Sequence, residues 1–148
     1  GMGFPAGREM DLAAVKMRDK LRNTASGTVK TLLKKIPVSG LEINLSGIET
    51  QFRRELERGA GPEILIYELF YNISDCICRL TERAVSETGC GKVLFTGGVT
   101  ASRFVRDEIE AFFHGRSLEL VFGAPVLSSD NAVGVSFLGG QKLWRSNR

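Results

Sequence analysis

Residues 92–103, with the sequence KVLFTGGVTASR, decide how the second half of the chain is built. Residues 93–95 are β-branched and aromatic, which predicts a short buried strand. Gly97 and Gly98 allow a tight turn and the close approach of a ligand, because neither carries a Cβ atom. Thr100 or Ser102 is expected to cap the helix that follows. Such a turn presents free N–H groups, so it is either a phosphate site or a plain connection.

Strands and helices alternate around this stretch. We predict a helix over 102–113, a strand over 118–122, a loop over 123–129 and a last helix that begins at Asp130. This alternation predicts a parallel sheet, whose ligand crevice lies beyond the carboxyl ends of the strands. Asp130 is therefore either the N-cap of the last helix or a carboxylate that serves a metal or phosphate at the crevice.

The first half of the chain is predicted to be mainly helical. A helix over 8–22 is followed by a β-hairpin or two adjoining strands within 32–45 and by a second helix that ends near residue 57. The longest helix spans 63–88, where apolar residues recur at spacings of three and four. Gly89 is expected to end it.

Composition sets broad limits on the function. The chain has 148 residues, 43% of them hydrophobic and 25% charged, which is typical of one globular domain or one lobe of a larger protein. Its net charge of +3 permits a nucleic-acid partner without requiring one. The basic stretch 8–35 is either a solvated surface or a contact for a phosphate backbone. We see no membrane span or signal peptide, and three cysteines without framework spacing suit a reducing cytoplasm.

The sequence singles out no catalytic residue. Cys76 and Cys78 lie two positions apart on a predicted helix, so they point to different faces and are expected to be core residues. His114 is the only histidine, which excludes a multi-histidine metal site within this chain. A Walker lysine loop and a nucleophile elbow are both missing from the sequence.

Four short motifs resemble, in order and spacing, the carboxyl-terminal half of one family. The family is the tRNA threonylcarbamoyladenosine biosynthesis transferases, long labelled O-sialoglycoprotein endopeptidases or glycoproteases. It belongs to the superfamily of actin, sugar kinases and heat-shock-chaperone ATPases. The motifs are GFPAG at 3–7, NLSGIET at 44–50, VLFTGGV at 93–99 and SSDNA at 128–132.

The resemblance implies a ribonuclease-H-like, actin-like lobe that spans residues 1–148, with a small helical insertion at about 8–35. It implies a site for an adenine nucleotide, either ATP or an adenylate, to which Gly7, Gly97, Gly98 and Ser102 contribute. It also implies an iron or zinc ion, for which Asp130 is the one ligand from this half. We do not expect this chain to hold that ion alone.

The sequence also departs from the family pattern. Ser102 stands where the family usually has asparagine, Glu49 stands where it usually has lysine, and residues 6–8 read Ala-Gly-Arg instead of Gly-Gly-Pro. A glutamate near a phosphate site would weaken anion binding. The family's metal-binding histidines are expected in an amino-terminal lobe, so the chain resembles a divergent paralogue.

Three functions follow as hypotheses. In the first, the chain is half of a nucleotide- and metal-binding cleft, inactive alone, in a protein that transfers a threonylcarbamoyl group to tRNA. In the second, it is a non-catalytic interaction module that dimerises or pairs with a related subunit of the ATPase superfamily. The third, a metalloprotease, follows only from the old family label.

Overall fold

The computed structural model describes residues 7–23 and 31–127, with four further positions at 134, 137, 138 and 142. This part of the chain is an α/β structure of four α-helices and two small sheets. The helices are α1 (Gly7–Asn23), α2 (Ser46–Glu57), α3 (Pro62–Thr88) and α4 (Arg103–Phe113). The strands are β1 (Val38–Ser39), β2 (Glu42–Ile43), β3 (Lys92–Phe95) and β4 (Glu119–Phe122).

The predicted parallel arrangement is confirmed for β3 and β4. The two strands pair in parallel, from Lys92 opposite Glu119 to Phe95 opposite Phe122, and α4 forms the crossover between them. Phe95 is buried in a core with Val105 and other residues of α3 and α4. One face of this sheet therefore packs on helices, as the strand and helix periodicity predicts.

The first sheet is a β-hairpin, as predicted, but its strands are shorter than the predicted segment. Val38 pairs with Ile43 and Ser39 with Glu42, and the turn between them contains Gly40 at a φ of +61°. Pro37 precedes the hairpin directly and has no N–H to donate to a ladder. The hairpin is therefore confined to two residues a strand.

The long helix α3 has the predicted bounds within one residue, but its apolar stripe is not its only buried face. Pro62 occupies the first turn, and Gly89 ends the helix in a left-handed conformation at a φ of +68°. Polar residues of α3 are also buried, including Glu68, because α1, α2, α4 and β1 all pack against it. The Glu68 carboxylate accepts hydrogen bonds from the N–H groups of Leu32 and Leu33, which anchors the segment that leads to the hairpin.

The cysteines of α3 are core residues, as predicted. Cys76 and Cys78 are buried and unbridged, whereas Cys90 is exposed. Burial raises the pKa of the Cys78 thiol to about 12, since the thiolate would lose its hydration there. Both buried thiols therefore stay protonated and unreactive at neutral pH.

Asp130 and most of the predicted last helix lie outside the described residues, and the isolated positions described there, 134, 137, 138 and 142, are helical. In the part of the chain that the structure describes, every helix is too short or too polar to cross a membrane.

Candidate functional site

The glycine turn after β3 uses its two glycines differently. Gly97 has a φ of +102°, which residues with a Cβ atom rarely adopt, whereas Gly98 has an ordinary helical φ of −60°. The turn continues into a short 3-10 segment, Val99–Ala101. The geometry of the turn therefore requires glycine only at position 97. The backbone conformation does not explain the glycine at position 98, which could instead leave space for a ligand.

Ser102, and not Thr100, caps α4. The Ser102 Oγ atom accepts a hydrogen bond of 3.2 Å from the N–H of Val105, and Ser102 has the extended backbone of an N-cap. The Thr100 hydroxyl instead donates to the carbonyl of Gly97 at 3.1 Å, which closes the glycine turn. One of the two predicted caps is thus confirmed, and the other stabilises the turn before it.

A cavity of about 660 Å³ lies beside this turn. It brings together three of the predicted nucleotide contacts, Gly7 at the start of α1, Gly98 in the turn and Ser102 at the start of α4. Gly97, the fourth predicted contact, is not among the described lining residues and directly precedes Gly98 in the turn. The walls are mainly apolar, formed by Phe70, Ile73, Val99, Ala101, Val105 and Pro125, and Arg8 and Asp11 add charge.

The N–H groups at the start of α4 are not free, contrary to the expectation from the sequence. Asp11 of α1 reaches across to them: its carboxylate accepts from the Ser102 hydroxyl at 2.6 Å and from the N–H groups of Arg103 and Phe104 at 3.0 Å each. The positive end of the α4 dipole is therefore already paired with a carboxylate of the same chain. A phosphate could use these donors only by displacing Asp11.

Two loops meet at the carboxyl ends of β3 and β4, as the parallel arrangement predicts. Arg106 of α4 connects them, because its Nε atom donates to the Thr100 carbonyl at 2.6 Å and its second guanidinium nitrogen donates to the Gly123 carbonyl. The Gly123 N–H also donates to the Phe95 carbonyl at 2.8 Å. Gly123 lies two residues before Pro125, so these contacts fix the start of the loop from which Pro125 lines the cavity.

The two remaining predicted site residues are Asp130 and Glu49. Asp130, the predicted metal ligand, lies outside the described residues. Glu49, expected near the phosphate site, is an exposed residue of α2 that pairs with Arg53 at 2.9 Å. The glutamate at this position thus does not place a negative charge in the cavity.

The residues that the structure describes offer no cluster of three or more histidine, cysteine or acidic side chains that could hold a metal ion. Among the described residues, Asp11 is the only acidic one that lines the cavity, and its carboxylate is engaged with α4. We therefore derive no chemical step through a metal ion.

The residues that join distant elements were not identified from the sequence. Asp11 lies 91 positions from Ser102, and in the sequence it is one more polar residue beside the apolar stripe of α1. Phe70 and Ile73 belong to the predicted apolar stripe of the long helix, and no local signal marks Arg106 as a residue that connects two loops. No local pattern distinguishes a residue that lines a cavity from one that fills a core.

Together these features define a class of site. In a parallel α/β structure, a glycine turn at the carboxyl end of a strand and a mainly apolar cavity beside it form a typical binding site for a small organic ligand.

This chain is similar in sequence to known proteins of one family. Over 139 residues, 94% of this chain and 24% of the relative, it is 28% identical to a probable bifunctional tRNA threonylcarbamoyladenosine biosynthesis protein of Methanothermobacter thermautotrophicus. It is 26% identical over 140 residues to the tRNA N6-adenosine threonylcarbamoyltransferase of Thermococcus gammatolerans, covering 94% of this chain and 40% of the relative. The protein of the same name from Neorickettsia sennetsu is 25% identical over 150 residues, which cover 97% of this chain and 43% of the relative.

No family model matches the chain. The curated relatives nevertheless share 25–28% identity with most of its length, and this confirms the resemblance drawn from the four motifs. The chain spans between a quarter and about two-fifths of the length of these three relatives.

Proposed function

We propose that this chain is one lobe of a nucleotide-binding protein related to the tRNA threonylcarbamoyltransferases, and that the cavity beside Gly98 receives the adenosine part of the nucleotide. The observation that carries the proposal is the convergence of Gly7, Gly98 and Ser102 on one cavity. Gly7 lies 91 residues before Gly98, and the resemblance assigns all three residues to the nucleotide. The relatives named tRNA N6-adenosine threonylcarbamoyltransferases support the family to which this proposal relates the chain.

The cavity suits a purine nucleoside by its chemistry. Phe70, Val99, Val105 and Pro125 provide apolar surface that a flat aromatic base would bury. Gly98 leaves room for a ligand, since a Cβ atom added there would meet no atom within 4 Å. The Ser102 hydroxyl and the Asp11 carboxylate supply the polar groups that would orient ribose hydroxyls.

The larger protein would complete the cleft. In this proposal the chain is the carboxyl-terminal, actin-like lobe, and an amino-terminal lobe supplies the remaining nucleotide contacts and the histidines that hold iron or zinc together with Asp130. Closure of both lobes is needed to position reactants and exclude water, so the single lobe is inactive as a transferase. Transfer to tRNA and a cytoplasmic location belong to the same proposal.

A leucine at position 98 tests the cavity directly. Because the backbone of Gly98 is helical and a Cβ atom there has space, Gly98→Leu is expected to fold normally while its side chain enters the cavity. We expect the chain to bind adenosine weakly, with a dissociation constant on the order of 0.1–1 mM, and Gly98→Leu to weaken this binding at least tenfold. Isothermal titration calorimetry or ligand-observed NMR measures both constants.

Gly91→Leu is the matched control. Gly91 precedes β3, is exposed, and also has no atom within 4 Å of an added Cβ. It does not line the cavity, so adenosine binding should stay within twofold of the unmodified chain. No binding of adenosine to the unmodified chain, or an equal loss in both variants, would contradict the assignment of the cavity.

A second candidate function, an interaction module, is favoured by the outer face of β3. The Leu94 side chain lies on the face opposite Phe95 and is 64% exposed, although parallel sheets are usually covered on both faces. We expect association through this face. Sedimentation equilibrium should detect dimers at concentrations near 100 μM, and Leu94→Lys should shift the chain toward the monomer. A monomer throughout that range would count against this candidate.

A further inference from the structure

We propose that the outer face of α1 binds a second copy of this chain, with the two α1 helices side by side and antiparallel. The inference goes beyond the proposed nucleotide site and concerns a different surface from the exposed face of β3. It starts from a groove of about 370 Å³ beside α1 and the start of α3. The groove and the cavity beside Gly98 share none of their described lining residues.

The centre of this groove is apolar and open. Leu12, in the middle of α1, is 56% exposed, whereas its neighbours Ala13 and Met17 in the lining are partly buried. Covering Leu12 would remove apolar surface from water, and the small side chain of Ala13 lets another helix approach closely. A single exposed leucine needs no partner by itself. The charges on either side of Leu12 indicate what covers it.

These charges make the face complementary to itself. Glu9 lies three residues before Leu12 and Lys16 lies four residues after it, so the three side chains share one face of the helix. In an antiparallel pair with its two-fold axis near Leu12, Glu9 of each copy faces Lys16 of the other. In a parallel pair, each charge would face its own kind. The antiparallel pair also places the two helix dipoles in opposite directions, which is favourable.

The composition of the groove favours a second copy over a nucleic acid. Its lining holds Glu9 and Glu63 as well as Lys16 and Lys20, so the formal charges balance. A phosphate backbone requires an excess of positive charge, whereas a second copy brings the same balanced face. The contact is limited to one helix of 17 residues and its surroundings, so we expect a weak dimer with a dissociation constant on the order of 100 μM.

Two opposite charge reversals test the antiparallel register. Glu9→Lys leaves only positive charges at these two positions, and Lys16→Glu leaves only negative ones. Each variant alone should dimerise about tenfold more weakly than the reference chain, because like charges then meet twice. A mixture of the two variants should form a heterodimer with a dissociation constant within threefold of the reference, since both pairs again have opposite signs.

The reference chain and all variants carry Leu94→Lys, so that the exposed face of β3 does not contribute, and the unmodified chain is measured beside them. A fluorescent label on the exposed Cys90 marks one variant of each mixture, because Cys76 and Cys78 are buried. Fluorescence anisotropy and sedimentation equilibrium between about 10 μM and 1 mM measure the homodimers and the heterodimer. Thermal unfolding shows that each variant is folded.

Two matched controls separate this face from general effects. Glu57→Lys makes the same charge change at an exposed position of α2. It should bind Lys16→Glu about fivefold more weakly than Glu9→Lys does, because one of its two cross-pairs stays repulsive. Leu12→Ala should weaken the reference dimer about tenfold, whereas Leu56→Ala, at a leucine of α2 that is 44% exposed, should change it less than twofold.

The outcomes decide the inference without reference to the nucleotide. A reference chain that stays monomeric up to 1 mM would overturn the second copy as the occupant of the groove. Charge variants that pair with each other no better than with themselves would overturn the antiparallel arrangement, even if Leu12→Ala weakens the dimer. Adenosine binding is measured at the separate cavity, so its failure would overturn the proposed function and leave this inference standing.

Discussion

Replacing Phe104 by alanine is expected to lower the free energy of unfolding by about 3–5 kcal/mol. Phe104 is fully buried and is the largest of the completely enclosed side chains that the structure describes. Its ring meets Tyr67 at 5.8 Å and Phe70 at 6.0 Å between centroids, both edge-on, and packs with Ala14 of α1. The substitution removes this apolar area and leaves a cavity where α1, α3 and α4 meet, so both terms add.

A loss of this size would consume a large part of the stability of a typical domain, which totals about 5–15 kcal/mol. Thermal unfolding should show a fall in Tm of about 10 °C.

Phe112→Ala is the matched control, because it makes the same chemical change on the same helix at a side chain that is 36% exposed. We expect it to cost about 1–2 kcal/mol. Similar losses for the two variants would mean that the junction of the three helices is not the core of this part of the chain.

Replacing Arg18 by methionine is expected to be the second largest perturbation, about 2–3 kcal/mol. The Arg18 side chain is only 8% exposed, and its guanidinium donates to Asp107 at 2.7 Å and to Glu108 at 3.3 Å. The same group lies 5.0 Å from the centre of the Phe104 ring. Burial opposes its charge, but the two carboxylates outweigh burial and raise the pKa of Arg18, so the residue stays charged at every accessible pH.

The expected loss is smaller than for a fully buried ion pair, because Asp107 is 38% exposed and can regain water once its partner is gone. A double-mutant cycle with Asp107→Asn, measured by urea unfolding, should give a coupling of about 1–2 kcal/mol. Arg53→Met provides the reference, since Arg53 and Glu49 form an exposed pair that is expected to contribute about 0.5 kcal/mol or less. A coupling for Arg18 no larger than this reference would show that the contact does not hold α1 to α4.

These two residues also explain why the cavity has a defined shape. Arg18 joins α1 to α4 about two turns beyond Asp11, and Asp11 joins the same helices at the edge of the cavity. Phe104 packs against Ala14, which lies between these two positions on α1. The distance between Gly7 and Ser102 across the cavity is therefore set by contacts that lie mostly outside it. Phe104→Ala destabilises the folded chain, so it should weaken ligand binding in proportion to the loss of folded protein.

Much of the local structure was predictable because it depends on neighbouring residues. The bounds of α3 follow from its apolar spacing, from Pro62 at its start and from Gly89 at its end. The strand, turn and helix over residues 92–113, with Thr100 or Ser102 as the cap, follow from β-branched residues, two glycines and a capping hydroxyl. Each of these signals acts over a few residues, where the chain has few alternatives.

The buried faces and the site were less predictable. The polar side chain of Glu68 is buried in α3 because the N–H groups of Leu32 and Leu33, over 30 residues away, need an acceptor. Arg18 belongs to the basic stretch 8–35, which was predicted to be either a solvated surface or a phosphate contact. It is buried because two carboxylates of α4 pair with its guanidinium. Such partners are far apart in sequence, and no periodicity of one helix reveals what the next helix presents to it.

The sequence by itself determined the order and extent of most elements, the parallel pairing of β3 with β4 and the relationship to tRNA threonylcarbamoyladenosine biosynthesis proteins. Only the tertiary structure decided which groups occupy the start of α4. The glycine turn and Ser102 are local features, so their sequence predicts a helix end that attracts an anion. Whether that anion is a ligand or Asp11 depends on how α1 packs against α4. No short stretch of sequence predicts a contact between residues that lie 91 positions apart.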